Sequence, residues 1–274
     1  MRDPRGDARE VVVPSDRASL GQDLVESDRR YFELGARREH LRAAEIVWLD
    51  GMADLPAAGV VHRVVAEELV DPAGWMREAT TRLVDAGFTH GRIYLDEPFE
   101  SLETELASGG WTMRREPGLV ALDDVPTRGQ AIELIPVIDD DGWAAKEEIH
   151  RADGARPDGH EAPASRWVAM ERARVATGEL EAWLVVRGGT VCGTVCSMTG
   201  GSVLRNKNLV VHPDHRRSGV GLSVLASLDV MARDRGLVMG TFSVAGEDGE
   251  LLYSAAGMSV VVEQREWSRP LEAT

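Results

Sequence analysis

From Glu45 the chain offers two strand-like runs rich in valine and isoleucine, EIVWLDGM and GVVHRVVAEELV. Runs of β-branched residues fit a pleated, half-buried strand better than a helix. Asp71-Pro72 then supplies a helix start, and the amphipathic WMREATTRLVDAG ends at Gly87. HGRIYLDEP reads as a strand, FESLETELASGG as a short helix leading to Trp111, and GLVAL as a last strand. The predicted order of this first half is β-β-α-β-α-β.

The second half repeats the order. LEAWLVV and TVCGTVCSM predict a hairpin turning at Arg187-Gly188-Gly189, and SVLRNKNLVV a further strand. GLSVLASLDVMARDRG predicts a helix ending at Gly236, followed by the strand VMGTFSV, the helix DGELLYSAAG and the strand MSVVVEQREW. Gly87 and Gly236 align as helix ends at an offset of 149 residues, and the elements after them stay aligned within two residues. Internal similarity at this scale points to duplication. The turn-rich DDVPTRGQ, residues 123–130, reads as the linker before the strand AIELIPVI, which gives two domains, 1–125 and 130–274.

A chain of 274 residues is long enough for two modest domains, each with its own core. A net charge of −15 argues against nucleic acid or an anionic membrane as partner, and suits a cationic amine. No apolar run approaches the roughly 18–20 residues of a membrane span. MRDPRGDAREVVVPSD lacks the apolar core of a signal peptide, so a cytoplasmic protein is expected. The cysteines, Cys192 and Cys196, lie in one strand-like run. At roughly 3.3 Å per residue they stand about 13 Å apart on one face, too far for a disulfide. With no further ligands near them, or near His212 and His215, no metal site is expected.

The stretch from Leu209 to Leu225, LVVHPDHRRSGVGLSVL, carries the chemistry. A strand stops at Pro213, and Arg216, Arg217, Ser218, Gly219, Val220 and Gly221 lead into a helix. Unpaired N–H groups at that helix start, with the helix dipole behind them, form an anion site shaped for phosphate. Two glycines let the backbone approach a ligand closely. A dinucleotide fingerprint needs a third glycine where Val224 stands, and the Walker lysine is missing. The remaining pattern, V-x-P-x-x-R-x-x-G-x-G at Val211, Pro213, Arg216, Gly219 and Gly221, resembles the acyl-CoA signature of the GCN5-related N-acetyltransferases (GNATs).

That resemblance implies an α/β protein of two tandem GNAT-like domains, each a central mixed sheet flanked by helices, using acetyl-CoA and no metal. At the same offset, Glu67, Val70 and Pro72 fall under Arg216, Gly219 and Gly221. Both glycines are missing there, a proline removes a donor, and three carboxylates repel a pyrophosphate. The first half therefore reads as a degenerate domain that either buttresses the second or mediates homodimer formation. Tandem members with one silent and one active domain exist, mycothiol synthase among them; the likeness is architectural and carries no substrate.

In the family the strand before the loop is splayed by a β-bulge and pairs with the pantetheine arm. The resemblance assigns that role to Asn208–Val211, with Leu209 on the cofactor-binding strand and main-chain donors near Val210 and Val211 polarising the thioester carbonyl. Leu252-Tyr253-Ser254-Ala255-Ala256-Gly257-Met258 resembles the family's L-Y-x-x-x-G-F, whose tyrosine often sits near the thioester sulfur; a phenol titrating near ~10 suits protonation of the departing thiolate, which makes Tyr253 the expected general acid. Gly246 stands where many relatives carry asparagine. For the general base, Asn208 holding a water or the amine and Glu181 on the preceding strand are the candidates. The polar loop ADGARPDGHEAPAS offers Asp153, Asp158, His160 and Glu161 to a cationic acceptor. The expected activity is acetyl transfer to a primary amine of a small molecule. Protein N-termini or lysines, or a non-catalytic acyl-CoA-binding pseudoenzyme, are the alternatives.

Overall fold

The computed structural model describes residues 16–127, 131–154, 163–244 and 248–271. Two elements precede those expected from Glu45 on: helix α1 (Arg17–Glu33) and strand β1 (Arg37–Leu41). The first half continues as β2 (Ala44–Trp48), β3 (Gly59–His62), α2 (Pro72–Asp85), β4 (His90–Leu95), α3 (Glu100–Ser108) and β5 (Thr112–Val120). The second half begins with β6 (Glu133–Pro136), α4 (Asp140–Asp153), α5 (Ala164–Val175), β7 (Leu180–Arg187) and β8 (Thr190–Gly200). It ends with β9 (Val203–Val211), α6 (Val220–Asp234), β10 (Val238–Phe242), α7 (Asp248–Ala255) and β11 (Ser259–Pro270).

The chain is α/β, with mixed sheets flanked by helices, as the resemblance implied. The two sheets are joined edge to edge into one, in the order β1-β2-β3-β4-β11-β5-β10-β9-β8-β7-β6. The junction is an exchange of last strands. β11, from the second half, pairs antiparallel with β4, while β5, from the first half, lies between β11 and β10. Main-chain bonding is indifferent to which copy of a repeated strand fills a slot, so each half closes with the other's last strand.

Helix α1 crosses this junction on one face of the sheet, with Leu20 and Leu24 fully buried one turn apart. Burial of a leucine contributes roughly 1.5–3 kcal/mol. The approach depends on Gly118 in β5 and Gly240 in β10: a Cβ on either would lie 3.0 and 3.1 Å from Leu24. The opposite face packs α6 and α7 through Leu119, Leu204, Met239, Val224 and Leu225. Among the described residues no helix is long and apolar enough to cross a membrane.

Candidate functional site

Strand β9 hands the chain to α6 through a tight turn. The His212 amide donates to the Cys192 carbonyl at 2.9 Å, and Pro213–His215 forms a single 3₁₀ turn. Gly219, at φ +84°, is the N-cap residue of α6 and provides no side-chain cap. An L side chain rarely adopts that backbone conformation, so glycine is what the turn requires. The helix therefore opens with the Val220, Gly221 and Leu222 amides facing out of its N-terminus. The Arg216 Nε donates to the Val211 carbonyl at 3.0 Å, and its guanidinium pairs with Asp153. Ser218 is engaged locally: it donates to the His215 carbonyl at 2.6 Å and accepts from Arg187 at 2.8 Å.

The expected bulge is present. β8 and β9 lose register between Thr194 and Cys196, opposite Lys207–Val210, and Asn208 sits at φ +54°. β9 pairs with its parallel neighbour β10 only over Val203–Arg205 and Val238–Gly240. Beyond Arg205 the two strands part. A cleft of about 960 Å³ passes through that gap.

On the α6 side the gap is closed by Tyr253 of α7, whose hydroxyl lies beside Thr241 and Asn206. Burial raises the Tyr253 phenol above its ordinary value, against the opposing pull of those two neighbours. The buried Asn206 amide stands at the cleft wall beside the Tyr253 hydroxyl, with no other hydrogen-bond partner among the described residues. Such a group normally finds a partner.

On the α1 side the cleft continues beyond the expected site. The Asn208 amide donates to Glu171 of α5 at 2.6 Å and to the Tyr31 hydroxyl of α1 at 3.1 Å. Burial would raise the Glu171 carboxyl, but Lys146, at 3.0 Å, and His150 outweigh it and hold it at about 2. Lys207 reaches over the Tyr31 ring, 4.5 Å from its centroid, and toward Asp28 at 3.3 Å. Burial and the adjacent Arg205 bring the Lys207 ammonium down to about 8.

Deeper still, the α1-facing sides of β4, β11 and β5 form a polar row. Arg92 pairs with Glu266, and the Tyr94 hydroxyl donates to Glu266 at 2.7 Å. Burial opposes ionisation of Glu266, but Arg92 prevails and holds it at about 2. Glu116 of β5 accepts no hydrogen bond from the described residues. Burial, then the charges of Glu266 and Asp28, push its carboxyl up to about 8.

Of the sequence-derived candidates, Asn208, Leu209, Val210, Val211, Arg216, Arg217, Gly219, Val220, Gly221 and Tyr253 line this one cleft. Asp153 lines it too, with its carboxylate committed to Arg216. Glu181 is not among the lining residues; it accepts from Arg235 at 2.9 Å. Asp158, His160 and Glu161 lie outside the described residues. Both cysteines are buried and free, and burial pushes the Cys196 thiol up to about 12. One acidic group, Glu33, Glu45 and His62, has the spacing of a metal site. Its Glu33 is already occupied by Arg30, Arg38 and Arg63, which disfavours a cation. The residues sequence reasoning missed are Arg92, Tyr94, Arg114, Glu116, Gln264 and Glu266. Their signal was period-two polar residues inside strands, on a face that should be apolar if it merely packed.

The overall fold is shared with solved structures. A GCN5-related N-acetyltransferase from Kribbella flavida matches with a TM-score of 0.61 at 15% identity, covering 94% of this chain and 97% of its own. The chain has the GNAT fold. A GCN5-related N-acetyltransferase from Sphaerobacter thermophilus matches at 0.59 and 16% identity, over 84% of this chain and 77% of its own. A tandem GNAT protein from the clavulanic acid biosynthesis pathway matches at 0.52 and 15% identity, over 84% and 79%. No family model and no curated protein matches the sequence.

Proposed function

We propose that this GNAT-fold protein is an acetyl-CoA-dependent N-acetyltransferase acting on a primary amine of a small molecule. The observation that carries the reading is the coincidence, in one cleft, of the uncapped α6 N-terminus, the parted β9–β10 edge and the Tyr253 hydroxyl. These groups fit an acyl-CoA. Arg217, Gly219, Val220 and Gly221 would hold the pyrophosphate, and Leu209, Val210 and Val211 the pantetheine arm. The Asn206 amide, beside Tyr253, supplies a buried donor and acceptor in the same stretch. Acetyl-CoA, when bound, supplies an acyl group on a thiol leaving group.

Main-chain N–H groups at the bulge polarise the carbonyl, and Tyr253 donates its proton to the leaving sulfur. A tyrosine whose phenol is raised stays protonated at neutral pH, as a general acid must. Asn208, fixed by Glu171 and Tyr31, positions the acceptor or a water at the gap. The chain then works as two repeats, 1–125 and 130–274, with the donor site in the second. The cleft is walled by both repeats, which favours a small acceptor over a protein chain. Two unpaired buried cysteines suit the reducing cytoplasm.

Calorimetric titration of acetyl-CoA, followed by an amine panel with thiol detection, tests the reading. One site per chain is expected. Tyr253→Phe should lower turnover by about 10²–10⁴-fold with acetyl-CoA affinity unchanged. Binding without turnover of any amine would favour an acyl-CoA-binding pseudoenzyme; no binding would overturn the assignment.

A further inference from the structure

The cleft extends past the donor site into the half that lacks a phosphate loop, and the charges there are unevenly satisfied. Four acids line it: Glu116, Asp153, Glu171 and Glu266. Asp153 is paired with Arg216, Glu171 with Lys146, and Glu266 with Arg92. Glu116 alone of the four accepts no hydrogen bond from the described residues. It is nine-tenths buried, and a buried carboxyl without a partner is costly to keep.

Its placement is specific. Glu116 pairs with Gln264 across the β5–β11 ladder, and Gly118, two residues on, pairs with Phe242 of β10. Alternation along the strand puts Glu116 on the α1 side of the sheet, the side opposite Tyr253. Aromatic rings line the same chamber: Tyr31 and Phe32 from α1, Tyr94 from β4, and Phe242 from β10. An unpaired carboxyl among aromatic faces is the chemistry that receives an organic ammonium ion.

We propose that the acceptor enters as an ammonium ion held by Glu116, a carboxylate that the CoA-less half presents through its exchanged strand β5. The proposal rests on the donor-site reading above and adds that donor and acceptor are held by different halves. Glu116 takes one proton from the ammonium nitrogen: the N–H bond breaks, an O–H bond forms, and the nitrogen lone pair is freed. The charged groups around Glu116 are Glu266 of β11, Asp28 of α1, Lys207 of β9 and Arg92 of β4, with Arg114 two residues before it on the same face of β5 and lining the same cleft. The acids disfavour a further negative charge and the bases favour it, so an incoming cation decides the balance.

In the empty chamber Glu116, titrating at about 8, is largely protonated at pH 7. An ammonium ion must therefore expel that proton to the solvent. We would titrate n-butylamine, spermidine and glucosamine into the full chain at pH 7, with and without CoA, in two buffers of different ionisation heat. At least one amine is expected to bind with release of most of one proton. Glu116→Gln, an isostere of the protonated acid, should weaken that binding at least tenfold and abolish the release. CoA affinity should stay within twofold, and an unchanged melting temperature shows that the variant is folded. Glu116→Asp should restore the release with weaker binding. Amine binding that Glu116→Gln leaves intact, or failure of all three amines to bind wild type, overturns the proposal. Glu116-dependent amine binding without any CoA binding overturns the donor-site reading instead, and leaves the cation chamber standing.

Discussion

The two halves open their comparable helices in opposite ways. At α6 the cap is Gly219 in the left-handed region, with no side chain to spend on the helix's own amides. At α2 the cap is Asp71, whose carboxylate accepts from the Gly74 amide at 2.9 Å, and Pro72 follows it. One helix end is left for an outside anion; the other is satisfied by its own sequence. The strands before them diverge similarly. Asn208 and Arg63 both sit at φ +54°, and each donates to a buried glutamate on the helix before, Glu171 or Glu33. Asn208 leaves the gap between its strands open, whereas Arg63, Glu33 and Glu26 form an ion-pair cluster at the end of β3. The first half thus closes with a side-chain cap and ion pairs the end that the second half leaves open.

The largest effect should come from closing the open end. Gly219→Val places a β-branched residue where φ is +84°, and should cost more than about a hundredfold in acetyl-CoA affinity by calorimetry. Gly221→Glu should do the same by putting a carboxylate at the anion site, its Cβ 3.2 Å from Leu252. If both variants bind normally, the contrast between the helix ends has no functional meaning.

Much of that contrast was legible in the sequence. The missing glycines at Val70 and Pro72 and the loop at Arg216–Gly221 follow from residue types at fixed spacing, and Tyr253 from the family resemblance of its stretch. Helix α1 was not, because its buried face includes Ser27, Asp28 and Glu33 beside Leu20 and Leu24, so the apolar stripe is interrupted. Strand β1, RREHL, is an edge strand whose charges protect it from further pairing, and it carries no hydrophobic alternation. The strand exchange is invisible locally, since β5 and β11 present similar patterns to either neighbour. The polar row was hidden for a related reason. The last strand of the first half was read from Gly118, whereas β5 begins at Thr112 and carries Arg114 and Glu116 ahead of that point.

A second contrast concerns how each half stabilises its buried glutamate. Glu33 is served by arginines, each partly exposed. Glu171 depends on Lys146, itself fully buried, with a further bond from Lys146 to Thr194 at 2.6 Å. Lys146→Met would leave Glu171 buried without its ammonium partner, with Asn208 and His150 still beside it, at a cost of up to about 3–5 kcal/mol. Near 2–4 °C per kcal/mol, that is a fall in melting temperature on the order of 10 °C. The pH dependence has a definite sign. The folded-state value of Glu171, about 2, lies below the unfolded carboxylate's 4.5, so its contribution is present above pH 4.5 and is lost as pH falls toward 2. In Lys146→Met that acid-side loss should flatten, and adding Glu171→Leu should restore most of the stability.

The smallest expected effect tests the silent end directly. Asp71→Ala removes the side-chain acceptor from the Gly74 amide, a loss of about 1 kcal/mol for an N-cap. Melting should fall by only a few degrees. Uncapping frees amides without supplying the glycine approach, and Glu67 and Glu68 remain exposed just upstream. Acetyl-CoA stoichiometry should therefore stay at one per chain. A second site appearing in Asp71→Ala would mean that a single carboxylate silences the first half, and that the glycines of the α6 turn matter less than its vacancy for a cap.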